Sequence, residues 1–173
     1  MPKNLEIKSK VHNKSHVLSV VKALNAQCKG IMHQTDTYFC VQQGRLKLRE
    51  IDIYQSELIY YNRIEEAHQR LSRFEVYSVE NPQYLKEILQ QALGVKAIVQ
   101  KKRLLYMFDS TRIHIDEVAG LGTFLEFEIP ANNSIDEAEQ LLNLLILKFG
   151  IKEGDFLNNS YMDLILSWYT YNQ

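Results

Sequence analysis

The chain has 173 residues, 46% of them hydrophobic, with 20 basic and 21 acidic residues and a formal net charge of −1. This composition excludes a disordered chain and a global basic field for nucleic acid, and it fits a single domain over 1–173 with a real core. No apolar run reaches membrane-spanning length, no signal-like apolar segment opens the chain, and Cys28 and Cys40 lack metal-ligand spacing, so a cytoplasmic location without nucleic-acid or membrane partners is expected.

The first strand is predicted over 3–11, where Asn4-Leu5-Glu6-Ile7-Lys8 alternates apolar and polar side chains. A helix follows over 14–28, with Val17, Val20, Val21 and Leu24 at helical spacing and Gly30 as its stop. Strands are predicted over 31–41, 45–51 and 57–63, the first two joined by a tight turn at Gln42-Gln43-Gly44. The polar stretch 64–69 reads as a loop, and the next strand covers 70–79. Asn81-Pro82 opens a second helix over 82–93, with an apolar face of Leu85, Ile88, Leu89 and Leu93 and Gly94 at its end. Strands over 95–108, 111–118 and 123–129 follow, the last pair turning at Gly120-Leu121-Gly122. Ser134 and Glu137 have capping-box spacing and start a helix that reaches Phe149. An apolar, aromatic helix over 160–170 closes the chain.

Eight strands and four helices without β-α-β alternation describe an α+β protein with an antiparallel sheet. The period-two pattern carries charge on one face of nearly every strand: Arg45-Leu46-Lys47-Leu48-Arg49, Arg73-Phe74-Glu75-Val76-Tyr77, Arg112-Ile113-His114-Ile115-Asp116 and Leu125-Glu126-Phe127-Glu128-Ile129. On an open sheet such faces are simply solvated. Enclosed in a barrel, like charges ~8 Å apart cost about 2 kcal/mol per pair at an effective dielectric near 20, and a cationic excess calls for a bound polyanion. The apolar faces then point outward and are covered by the helices.

In sequence order, Asn4-Leu5-Glu6-Ile7-Lys8, Thr35-Asp36-Thr37-Tyr38-Phe39, Gly44-Arg45-Leu46-Lys47-Leu48-Arg49-Glu50, Leu58-Ile59-Tyr60-Tyr61-Asn62-Arg63, Lys101-Lys102-Arg103, Arg112 to Val118, Gly120 to Glu128 and Ser160-Tyr161-Met162-Asp163-Leu164 resemble the motif series of the CYTH superfamily, the triphosphate tunnel metalloenzymes. The resemblance covers nearly the whole chain and is greatest to the class IV adenylate cyclase-like branch, which sits beside the thiamine triphosphatases. It implies a closed eight-stranded antiparallel β-barrel, a tunnel with helices packed outside.

The resemblance also implies a metal-dependent enzyme acting on ATP or a related triphosphate, with ATP converted to cyclic AMP and pyrophosphate. The alternatives are a triphosphatase acting on thiamine triphosphate, tripolyphosphate or a nucleoside triphosphate, and a module that binds a triphosphate without turnover. A homodimer is expected on the same basis. Glu6, Asp116, Glu126 and Glu128 are implied as ligands of Mg²⁺ or Mn²⁺, and Glu6, Lys8, Glu126 and Glu128 as the catalytic set. Lys8, Arg45, Lys47, Arg49, Arg63, Arg73, Lys101, Arg103 and Arg112 are implied as phosphate-gripping cations, of which Arg offers a planar fork and Lys a point charge. Asp36, Tyr38 and Tyr61 are candidate contacts for the organic end of the substrate. The first acid of the family's E-x-E-x-K signature is Asn4 in this chain, which brings no negative charge.

Overall fold

A computed structural model gives residues 4–66, 69–131 and 134–171, with side chains outside 63–73 and 171. The elements are β1 (Asn4–Lys10), α1 (Lys14–Ala23), β2 (Gln27–Phe39), β3 (Arg45–Ile51), β4 (Gln55–Glu66), β5 (Gln69–Ser78), α2 (Pro82–Leu93), β6 (Val95–Phe108), β7 (Thr111–Val118), β8 (Gly122–Pro130), α3 (Ile135–Phe149) and α4 (Tyr161–Tyr171).

Every strand pairing is antiparallel, in the order β1-β5-β4-β3-β2-β6-β7-β8. The sheet curls deeply on itself. β1 runs along β8 from Asn4–Pro130 to Lys10–Phe124, and on its other side it meets β5 at Asn4–Ser72, Leu5–Leu71 and Glu6–Arg70. Among the described residues that second seam is the shortest in the sheet. A barrel sealed along its full height is the stronger form of this architecture; the α+β class and the curled antiparallel sheet are observed.

Alternation sorts the strands as the sequence suggests. Leu5, Ile7, Ile113, Ile115, Leu125, Phe127 and Ile129 point outward and pack against Val17 and Val21 of α1 and Leu142, Leu145 and Phe149 of α3. The intervening Glu6, Lys8, Arg112, His114, Glu126 and Glu128 face the concave interior. Asn13 caps α1 by accepting from the His16 N–H, and Ser134 caps α3 by accepting from the Glu137 N–H. Gly150, at φ 66°, ends α3 in the left-handed conformation that glycine adopts without strain.

Four expectations change. α1 stops at Ala23 rather than near 28, because Asn25 at φ 53° turns the chain and frees residues from Gln27 onward to join β2. The stretch expected as a loop over 64–69 is strand up to Glu66 and again from Gln69, with Ile64 paired to Leu71 and Glu65 to Arg70. α2 buries none of its residues, and Ile31 and Ile98 on the outer face of β2 and β6 stay about half exposed, so the helices leave part of that face uncovered. Finally, α4 does not lie wholly outside. Tyr161 and Met162 enter an interior cluster with Tyr38, Ile59, Tyr61, Ala97, Val99 and Phe124, so the start of α4 plugs one end of the curled sheet.

Candidate active site

The concave interior holds a cavity of about 470 Å³. Its two walls differ. β1, β2, β3, β6, β7 and β8 supply most of the charged side chains, whereas β4 and β5 supply Ile59, Tyr61, Phe74 and Val76, with Gln55 and Glu57 at the start of β4. The alternation of β5 therefore runs in the phase opposite to the expected one: Phe74 and Val76 line the cavity and Glu75 is exposed. Glu6 and Lys8 from β1, Asp36 and Tyr38 from β2, Lys47 and Arg49 from β3, Tyr61 from β4, Lys101 and Arg103 from β6, Arg112 from β7 and Glu126 and Glu128 from β8 all line it. Asn4 lines it as well.

Two buried acids organise the cations. The Asp36 carboxylate accepts from Lys47 Nζ at 2.8 Å and from Arg49 Nε and Nη2 at 2.8 and 2.9 Å. Burial would raise its pKa, but Arg49 and Lys47 outweigh that and hold it well below the usual range. Asp36 serves Arg49 with both oxygens, which leaves Lys47 as the surplus cation. Burial, with Arg49 adding to it, lowers the Lys47 ammonium to about 7. Asp116, fully buried, accepts from Arg103 Nε at 2.7 Å and Nη2 at 2.6 Å and from the Tyr161 hydroxyl at 3.0 Å. Lys101 stands 3.6 Å from the same carboxylate, and burial, then Arg103, lowers its ammonium to about 8. Arg103 also reaches Glu126 at 2.6 Å, and Lys8 lies 3.7 Å from Glu126.

A second cluster faces the cavity from β7 and β8. One donor atom each from His114, Glu126 and Glu128 fall within 4.8 Å of one another. His114 is 3% exposed, and its Nδ1 has no hydrogen-bond partner among the described residues. It lies 3.8 Å from Glu126 and 3.6 Å from Glu128, beyond hydrogen-bonding range. Burial, with Arg103 adding to it, lowers the imidazole pKa, so the ring is neutral at pH 7, the form that ligates metal. Burial would raise the pKa of both glutamates. Lys8 and Arg103 hold Glu126 down, and His114 does the same for Glu128. An orphaned imidazole nitrogen between two ionised carboxylates fits a divalent cation. Glu6 sits opposite Glu128 in the β1–β8 register, on the same face.

The remaining expected residues fall elsewhere. Asp116 is a partner of Arg103, Lys101 and Tyr161 and lies beneath the lining rather than in the three-donor cluster. Arg45 turns to α4, donating to Ser160 Oγ at 2.7 Å and Asp163 Oδ2 at 3.0 Å, and does not line the cavity. The side chains of Arg63 and Arg73 lie outside the described residues. Arg112 is at the rim, 3.3 Å from Glu128. Sequence reasoning gave His114 no ligand role and treated Tyr161 as packing. The signal for His114 was its place between Arg112 and Asp116 on the charged face. Tyr161 lay in the Ser160–Leu164 motif, but a tyrosine opening an apolar helix looks like any core aromatic; it presents its ring to Lys8 Nζ at 4.0 Å and Lys101 Nζ at 5.3 Å.

The CYTH domain family matches this chain over residues 2–161. A candidate adenylate cyclase of Methanocaldococcus jannaschii is 27% identical over 174 residues, covering 92% of this chain and 97% of that protein. Among solved structures, a protein of Pyrococcus horikoshii superposes with a TM-score of 0.84 at 23% identity, over 93% of this chain and 98% of that one. A Hippeastrum protein, described as a candidate adenylyl cyclase with a dominant triphosphatase activity, superposes with a TM-score of 0.70 at 16% identity over 95% of each chain. No helix among the described residues is long and apolar enough to cross a membrane.

Proposed function

Because the chain belongs to the CYTH domain family, we propose that it is a metal-dependent enzyme that cleaves a phosphoanhydride bond of an organic triphosphate held inside its curled sheet, the sheet acting as a closed tunnel. The observation that carries this reading is the pair of surplus ammonium groups, Lys47 and Lys101, buried beside the His114–Glu126–Glu128 cluster in one cavity. A polyphosphate supplies anionic oxygens to cations that share a single carboxylate with an arginine, and Ile59, Tyr61, Phe74 and Val76 supply an apolar place for an organic group.

His114, Glu126 and Glu128, with Glu6 on the same face, would hold the divalent cation, which would neutralise phosphate oxygens and stabilise charge that develops at the reacting phosphorus. The mixed nitrogen and oxygen donor set favours Mn²⁺ over Mg²⁺. Arg49 and Arg103 are fixed by bidentate acids and keep their orientation when substrate arrives. Lys8, Lys47 and Lys101 contribute point charges. Catalysis in such a site rests on positioning and charge stabilisation. The organic end lies against Ile59, Tyr61, Phe74 and Val76, where a bare tripolyphosphate gains nothing.

Two nucleophiles suit this cavity. A ribose 3′-hydroxyl attacking the α-phosphorus gives cyclic AMP and pyrophosphate, the reaction named for the archaeal relative; water gives orthophosphate, the activity stated for the Hippeastrum protein. Incubation of the protein with ATP, thiamine triphosphate or tripolyphosphate and Mn²⁺ or Mg²⁺ tests the reading. Cyclic AMP with pyrophosphate marks cyclisation, and orthophosphate marks hydrolysis. Absence of both, with triphosphate bound but intact, refutes the enzymatic reading and leaves a binding module.

A further inference from the structure

Gln34 is the buried polar residue of the cavity that the ion-pair networks do not use. It lies on β2 in the interior row Met32–Gln34–Asp36–Tyr38, beside Lys101 in the β2–β6 register. It is 5% exposed, and its Oε1 has no hydrogen-bond partner among the described residues. An unsatisfied buried polar atom costs about 1–3 kcal/mol, and native structures leave few of them. An apolar residue of the same size would avoid that cost. Gln34 lines a cavity where, among the described residues, every other polar side chain is a cation, an acid, an imidazole or a phenol, apart from Asn4, Gln55 and Ser160.

We propose that Gln34 contacts the attacking hydroxyl of the triphosphate reaction and aligns it with phosphorus. This inference rests on the reading above and deepens it. A carboxamide presents one acceptor and two donors in one plane. Its oxygen accepts from the nucleophile's O–H, while its NH₂ donates to an oxygen of the phosphoryl group under attack. Cations cannot accept the O–H, and an ionised carboxylate at this point would repel the phosphates. A neutral amide meets both demands. In the step itself, the hydroxyl oxygen forms a bond to phosphorus and the bridging P–O bond breaks with its electron pair on the leaving phosphate. As the bond to phosphorus forms, the hydroxyl proton leaves its hydrogen bond with the amide oxygen and passes to a phosphate oxygen, and the amide stays neutral throughout. Fixing the nucleophile removes orientational freedom that the reaction otherwise loses at the transition state.

The test is a set of variants, Gln34→Met, Gln34→Leu and Gln34→Glu, measured for turnover of ATP and tripolyphosphate with Mn²⁺, for tripolyphosphate binding and for melting temperature. Gln34→Met and Gln34→Leu should lower kcat about 10²-fold or more, in line with the loss of a transition-state contact. Their KM and binding should stay within about threefold, and their melting temperature should hold or rise, because an orphaned amide has been removed. Gln34→Glu should weaken binding as well. A residue with a merely structural role gives the reverse: lower melting temperature with kcat preserved. Undiminished kcat in the Met and Leu variants of an active enzyme overturns this inference alone, as does a loss of binding equal to the loss of turnover. Absence of turnover in the unmodified protein overturns both this inference and the enzymatic reading.

Discussion

Replacing Asp36 by Asn tests the electrostatic design of the cavity. The carboxylate, 2% exposed, accepts three hydrogen bonds from Lys47 and Arg49. At 2.8 Å and an effective dielectric near 20, each close contact is worth roughly 6 kcal/mol of Coulomb energy, most of it offset by the cost of removing the charges from water. Taking away one partner restores none of that hydration, and two buried cations then face each other and Lys101. Removing one member of a buried pair typically costs about 3–5 kcal/mol. For a chain this long, 1 kcal/mol moves the melting temperature by about 2–4 °C, so Asp36→Asn should lower it by roughly 6–20 °C. The effect of a polyphosphate should go the other way. In the unmodified protein a ligand competes with Asp36 for Lys47 and Arg49; in the variant those cations have no other anion. Thermal melts at pH 7 and low salt, with and without tripolyphosphate, should therefore show a larger ligand-induced rise in the variant. A drop under about 2 °C would refute the ion-pair reasoning. A smaller ligand-induced rise in the variant would mean that Lys47 and Arg49 do not meet phosphate. If Asp36 instead contacts the organic end, ATP binding falls while tripolyphosphate binding is unchanged.

The lowered Lys47 pKa has two consequences with opposite pH signs. Between about pH 7 and the usual lysine range the unfolded chain binds a proton that the folded one has released, so this group makes the ligand-free protein more stable as pH rises. Triphosphate binding, which favours the charged ammonium, should take up protons near pH 8 and weaken toward pH 9. Calorimetry in two buffers of different ionisation enthalpy measures the uptake, and equal heats in both would contradict it. His114→Ala should weaken Mn²⁺ binding by at least the 10–100-fold that loss of an outer-sphere partner costs, as read by Mn²⁺ EPR titration, and unchanged affinity would remove the imidazole from the metal site. Tyr161→Phe deletes the hydrogen bond to the ionised Asp116 and should cost about 2 kcal/mol, a melting shift of roughly 4–8 °C. Tyr161→Leu also loses the ring beneath Lys8 and Lys101 and should fall further by about 1 kcal/mol; identical melting of the two variants would show that the ring contributes nothing.

The strand faces were legible in the sequence because side-chain direction along a strand depends only on parity. Leu5 and Ile7 had to share one face of β1 with Glu6 and Lys8 on the other, and Phe127 and Ile129 one face of β8 with Glu126 and Glu128 on the other. The helix ends at Asn81, Gly94 and Ser134 were readable for a similarly local reason: each satisfies backbone groups within a few residues. What parity leaves open is which face turns inward and which charges meet. β5 shows this, since its apolar side faces the cavity, and only its pairing with β4 and β1 sets that phase. Asp36 was expected at the organic end of the substrate and Asp116 at the metal, but curling the sheet brings Arg49 and Arg103 onto them, so they hold cations in place. Arg45 looked like its neighbours Lys47 and Arg49 until α4 folded over the sheet end and took it. His114 gained its place between Glu126 and Glu128 from the β7–β8 register, a contact between strands. The unpaired amide of Gln34 was likewise invisible, because satisfaction of a buried polar atom depends on every element around it. Sequence alone determined a charged face on an antiparallel sheet; tertiary structure decided which of those charges are tied up and which are left for a ligand.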